Sequence, residues 1–168
     1  MSANTPEFLD VWQMVAASGR VDGQAPLARL LRLRDLLADS EGHCHYVLEF
    51  GRDPAASLAW VKLQVRTDLP LVCQRSLQRF LLPVVHQQHL VLVRNEAEEM
   101  ALSAHHDALL VPEDGRLRVL DLVEDELILA VPVVPVAPES QPVVLQPDPA
   151  TVRTGNSPFA LLASLKKA

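Results

Sequence analysis

Residues 44–66 read CHYVLEFGRDPAASLAWVKLQVR, and two alternations in this stretch decide the fold. Cys44, Tyr46, Leu48 and Phe50 are apolar with His45 and Glu49 between them, which is the period of two that puts one side of a strand against a core. Gly51, Asp53 and Pro54 supply a turn. Ser57 to Arg66 then alternates again, with Ala59, Val61, Leu63 and Val65 on one face and Trp60, Lys62, Gln64 and Arg66 on the other. Two half-buried strands joined by a short turn predict an antiparallel hairpin or meander.

Downstream, Asp68 to Pro70 breaks the alternation. Arg79 to Arg94 resumes a β-rich pattern with Val84, Val85 and the run Leu90 to Val93, which extends the sheet to three or more antiparallel strands. Upstream, leucines at 27, 30, 31, 33, 36 and 37 with Arg29 and Arg32 interleaved predict an amphipathic helix over 26–38, its basic residues on the wet side. Asn95 to Ala104 suits a short helix. Pro112, Asp114 and Gly115 make a turn before a short strand at Leu117 to Leu120, and Asp121 to Ala130 suits a helix with Leu122, Val123, Leu127 and Ile128 along one side, ended by Pro132. Seven of the thirteen prolines lie between Pro132 and Pro158, which predicts extended, linker-like chain. Beyond it, Ser157 can cap, Pro158 suits a first helical position, and Phe159, Leu161, Leu162 and Leu165 precede Lys166 and Lys167, the pattern of a short docking helix.

The fold class expected is α+β: an antiparallel β-meander or partly closed sheet with a few flanking helices and a proline-rich C-terminal tail. The expected boundaries are 1–136 for the α+β domain, 137–155 for the linker and 156–168 for the terminal helix.

The 168 residues carry 49% hydrophobic and 21% charged side chains, enough to build one globular core. A formal charge of −6 repels phosphate at long range, so any RNA contact must be local. With neither a signal-like start nor an apolar run long enough to span a bilayer, the expectation is a cytoplasmic protein with no membrane partner. DNA is not an expected partner.

His43, Cys44, His45, Cys73, His86, His89, His105 and His106 supply metal-ligand types without a zinc spacing. On a strand, Cys44 points away from His43 and His45, and the plainer expectation is a packed cysteine flanked by surface histidines, with no metal and no cofactor. No phosphate-binding loop, dinucleotide fingerprint or nucleophile elbow occurs, so no catalytic residue is assigned and no enzyme is expected. Trp60, Lys62 and Arg66 are the candidate RNA contacts, an aromatic beside cations being the minimum for a single-strand platform. An ordinary solvent-facing strand has the same pattern. Glu124, Asp125 and Glu126 suit a metal, a basic partner or, more simply, the dipole at the start of a helix.

Two stretches resemble a known family. Leu122 to Pro135, LVEDELILAVPVVP, is similar to the acidic and Pro-x-x-Pro signature of the YceD family through Glu124, Asp125, Glu126, Pro132 and Pro135. Asn156 to Lys167, NSPFALLASLKK, is similar to that family's terminal motif. Near Cys73 the chain reads LVCQRS, where family members often carry Cys-x-x-Cys. Ser76 stands in for the second cysteine, and a hydroxyl is a poor substitute for thiolate on zinc. The resemblance implies a non-enzymatic role in synthesis, processing or stability of large-subunit (23S) ribosomal RNA. An adaptor is the leading form of that role, and a direct RNA-binding module or a metal- or cysteine-dependent hydrolase are the alternatives. Expected partners are rRNA-processing or ribosome-assembly proteins docked through Phe159, Leu162 and Leu165, with a local contact to large-subunit rRNA.

Overall fold

A computed structural model describes residues 7–140. The chain forms β1 (Phe8–Asp10), α1 (Val11–Ala16), β2 (Arg20–Pro26), a 3-10 turn (Leu27–Arg29), α2 (Leu31–Arg34), β3 (His43–Arg52), β4 (Ala59–Val72) and β5 (Arg79–Val93). It continues through α3 (Glu96–Met100), β6 (Asp107–Leu110), β7 (Arg116–Arg118) and α4 (Val119–Ala130). This is the α+β class expected, and neither sheet is closed. The main sheet has the order β2-β3-β4-β5-β6, and β1 pairs with β7 in a separate two-stranded ribbon. From β2 to β5 the strands form an antiparallel meander; β6 adds in parallel against Leu90–Val93.

The alternation at 44–66 carries the sheet as read. Register pairs Leu48 with Leu63 and Val61 with Leu90, and opposed residues share a face, so Tyr46, Leu48, Phe50, Val61, Leu63, Val65 and Leu90 line one side. That side is buried under α1, α2 and α4, where Val11, Leu33, Leu122 and Leu127 complete the core.

The break expected at Asp68 to Pro70 does not occur. β4 runs on to Val72, with Leu69 and Leu71 fully buried and Pro70 opposite Leu81. Proline is tolerated because β3 pairing has ended by then. The Pro70 carbonyl, which points to the same side as its nitrogen, accepts from Ala38 N–H at 2.8 Å, so the missing donor faces a loop rather than a strand.

The helix expected over 26–38 is also replaced. Pro26 ends β2, and the leucine stretch becomes a 3-10 turn and a single α turn, separated at Leu30 by φ −92°, ψ 86°. Only the leucines spaced by three, 27, 30 and 33, are fully buried, whereas Leu31 and Leu36 are exposed. The strand expected at Leu117 to Leu120 is Arg116–Arg118, and α4 starts two residues earlier than read, at Val119.

One-sided burial has a measurable consequence. Leu63→Ala on the buried face should cost about 2–5 kcal/mol, through lost transfer energy and a residual cavity. Gln64→Ala, one residue along on the other face, should stay within about 0.5 kcal/mol of the parent. Urea midpoints for the two variants decide it, and comparable losses would mean that both faces are packed.

Candidate functional site

The opposite face of the meander forms the first candidate site. Its rows run Arg20, Glu49, Lys62, His89; then Asp22, Val47, Gln64, Gln87; then Gln24, His45, Arg66, Val85. The candidate RNA contacts Trp60, Lys62 and Arg66 therefore do share one face. Sequence reasoning missed Arg20, His45 and His89, although extending the period of two into the neighbouring strands brings them to the same surface.

Trp60 lies flat rather than standing off the sheet. A Cβ built on Gly51, its cross-strand partner, would fall 2.3 Å from the indole, so only glycine lets the ring lie on the β3 backbone. On the β5 side the ring meets His89, centroids 5.3 Å apart and tilted by 32°. Of the cations, Arg20 pairs with Glu49 at 2.6 Å and Asp22 at 3.7 Å. Lys62 and Arg66 have no carboxylate partner among the described residues, so their charges face solvent.

The acidic motif is not a dipole-matching surface. Glu124 is buried, and Oε1 accepts from the backbone N–H groups of Arg32 and Leu33 at 2.6 and 3.0 Å. These are the second and third residues of α2, whose own N-cap, Leu30, offers no side-chain acceptor. Glu124 thus caps α2 from another helix. Arg32 closes the lock, its Nε reaching Glu124 Oε2 at 3.1 Å and a terminal nitrogen reaching Asp125 at 2.6 Å. Glu126, also buried, turns to the inward face of β5, with Oε2 3.1 Å from His86 Nε2. The three acids read as one cluster are divided between two internal contacts, and Arg32, read as wet-face decoration, is the partner of two of them.

Cys44 is buried with His43 and His45 exposed on the other side, and burial pushes its thiol up to about 12. Cys73 is the opposite case. It opens the β4–β5 turn, and the chain beyond α4 folds back over it: Gln74 N–H donates to the Pro135 carbonyl at 2.8 Å, and Arg75 donates to the Ser140 carbonyl at 2.7 Å. Cys73 Sγ accepts from the N–H groups of Ser76 and Ala137, each at 3.4 Å. The Ser76 hydroxyl first, then Ala137 N–H, with smaller help from Ser76 N–H and the Ser140 hydroxyl, pull the thiol down to about 6 against desolvation. Of the motif residues, Pro135 therefore helps hold this strap, while Pro132 is exposed. Ser76 is a donor to the sulfur. Phe159, Leu162 and Leu165 lie outside the described residues.

Two outcomes test these interactions. Glu124→Ala orphans two backbone donors and Arg32 together, and should lower stability by about 2–4 kcal/mol in urea unfolding with an unchanged slope. For Cys73, whose folded pKa lies below its usual value near 9, thiolate stabilisation is fully present above about pH 9 and is lost as pH falls through about 6. The stability gap between parent and Cys73→Ser should therefore widen from pH 6 to 9. A gap that is flat across that window would rule out a stabilised thiolate.

A family model described as large ribosomal RNA subunit accumulation protein YceD matches residues 61–166. No solved structure matches the chain. The matched span takes in β4 from Val61 onward, the Cys73 turn, the strap and the acidic side of the Glu124 lock, whereas α2 with Arg32 and Leu33 lies before it. The chain belongs to the YceD family.

Proposed function

We propose that this protein is a non-enzymatic ribosome-biogenesis factor, working in the cytoplasm as an adaptor that supports the synthesis, processing or stability of 23S rRNA. Its open sheet face contacts rRNA locally, and the segment carrying Phe159, Leu162 and Leu165 engages an rRNA-processing or ribosome-assembly protein. The family description, which names large ribosomal RNA subunit accumulation, supports this reading of the process. The observation that carries the RNA contact is Lys62 opposite His89, next to the Trp60–His89 ring pair, with Arg66 two rows further along the same face and neither cation paired with a carboxylate among the described residues.

Those groups suit a single strand. An indole and an imidazole on one sheet face offer stacking area, worth about 1–3 kcal/mol per base, and Lys62 and Arg66, about 13 Å apart along β4 at the usual rise per residue, each take a separate phosphate of the same strand. Stacking on a fixed ring costs little ordering entropy, so a small patch suffices despite the acidic net charge.

The test combines Trp60→Ala, Lys62→Ala and Arg66→Ala. Crosslinking in cells should recover less large-subunit rRNA with the triple variant, while its protein partners stay attached. In vitro the slope of log affinity against log salt should flatten by about 0.7 for each phosphate that is no longer neutralised. Undiminished rRNA recovery with an unchanged salt slope would remove RNA from this face.

A further inference from the structure

At one end of the buried face, α1, the β3–β4 turn and α3 surround a cleft of about 350 Å³. Its lining includes Trp12, Arg52, Leu58, Arg94, Glu98 and Leu102. Both arginines are held in place by neutral groups. The Arg94 guanidinium lies 4.5 Å from the centroid of the Trp12 ring. That indole is backed in turn by Gly115, where a Cβ would come within 3.0 Å of it. Arg52 donates one N–H to the Ser57 carbonyl at 2.7 Å.

Neither guanidinium pairs with a carboxylate among the described residues. Glu98 shares the cleft, but its Oε2 accepts the backbone N–H of Arg94 at 2.8 Å, which ties it to the start of α3. In a chain of net charge −6, two pre-oriented and uncompensated arginines in one concavity form a local site for an anion. Guanidinium forks match phosphate oxygens, and the cation–π contact uses the face of the Arg94 fork while leaving its N–H edges available. Leu58 and Leu102 make the remainder apolar, and the volume falls in the range of small-ligand pockets.

We infer that this cleft binds a nucleotide bearing a terminal phosphomonoester, with Arg52 and Arg94 on the phosphate and the Leu58 and Leu102 wall against the base. The inference does not rest on RNA binding at Trp60, which lies on the other face of the sheet, and either can fail alone. The terminal phosphate can come from a free mononucleotide or from the end of an RNA chain.

Calorimetric titration of the full chain with AMP, adenosine, inorganic phosphate and a trinucleotide with or without its 5′-phosphate tests the site. AMP should bind saturably, adenosine and phosphate alone each at least about tenfold more weakly, and Arg52→Gln or Arg94→Gln should each cost about tenfold in AMP affinity. Tighter binding of the phosphorylated trinucleotide than of AMP assigns an RNA end, and the reverse assigns a free nucleotide; both uphold the cleft. Because Arg94→Gln also removes the stacking on Trp12, Arg52→Gln is the decisive variant. Equal affinity for AMP and adenosine, parent-like AMP binding by Arg52→Gln, or no AMP binding at millimolar concentration overturns the inference.

Discussion

Burial of a single face of β4 is the constraint on which the rest of the structure depends. From Ala59 to Leu71 every second residue points inward, and Val61, Leu63, Leu69 and Leu71 are fully buried. Each contributes about 1.5–3 kcal/mol relative to an exposed side chain, so a register slip of one residue would expose the whole set and bury Lys62, Gln64 and Arg66 in its place. Pairing with β3 and β5 inherits this register, and the amphipathic segments α1, α2 and α4 must cover the one apolar side. The polar side is left open as a direct result. Trp60, His89, Lys62 and Arg66 share a surface because the core needs their neighbours.

Period two is a local signal, which is why the meander was legible at 44–66, and β-rich composition marked its next strand at 79–94. Signals that depend on distant partners were not. Pro70 reads as a strand breaker until the end of β3 is known, since only the absence of a strand beside it makes the lost N–H harmless. The leucines at 27–37 fit a helical wheel, yet α2 starts at Leu31, where a carboxylate some ninety residues later in the chain caps it. β6 is short and parallel, and its pairing with β5 leaves no mark in its own composition. For the candidate site, the shared face of Trp60, Lys62 and Arg66 followed from the sequence, whereas the internal use of Glu124 and Glu126 required knowing where α2 and His86 lie.

Net charge describes this surface poorly, because many acids are already committed within the fold. Glu124 and Asp125 hold Arg32, Glu126 meets His86, and Asp39 is held below the usual carboxylate range chiefly by Arg79. Asp10 caps α1, Glu98 accepts the Arg94 N–H just before α3, and the Asp53 carboxyl is held below its usual range by the N–H groups of Ala56 and Ala55 in the β3–β4 turn. Lys62, Arg66, Arg52 and Arg94 have no such acidic partner among the described residues. An acidic protein can therefore hold local anion-binding features, provided that its acids serve as internal caps and its cations do not. Long-range steering remains unfavourable, so selectivity would come from short-range contacts.

The Cys73 strap and the Trp60–His89 pair divide the length of β4 between them. Chain leaving α4 is pinned to the β4–β5 turn through Pro135, Ala137 and Ser140. Trp60 lies twelve residues back along β4, about 40 Å away at the usual rise per strand residue. The strap and the ring pair therefore occupy opposite ends of β4, and neither takes up surface from the other. The donors converging on Cys73 thus do more than cover a turn: they fix Pro135, Ala137 and Ser140 against the end of β4 that lies farthest from the ring pair.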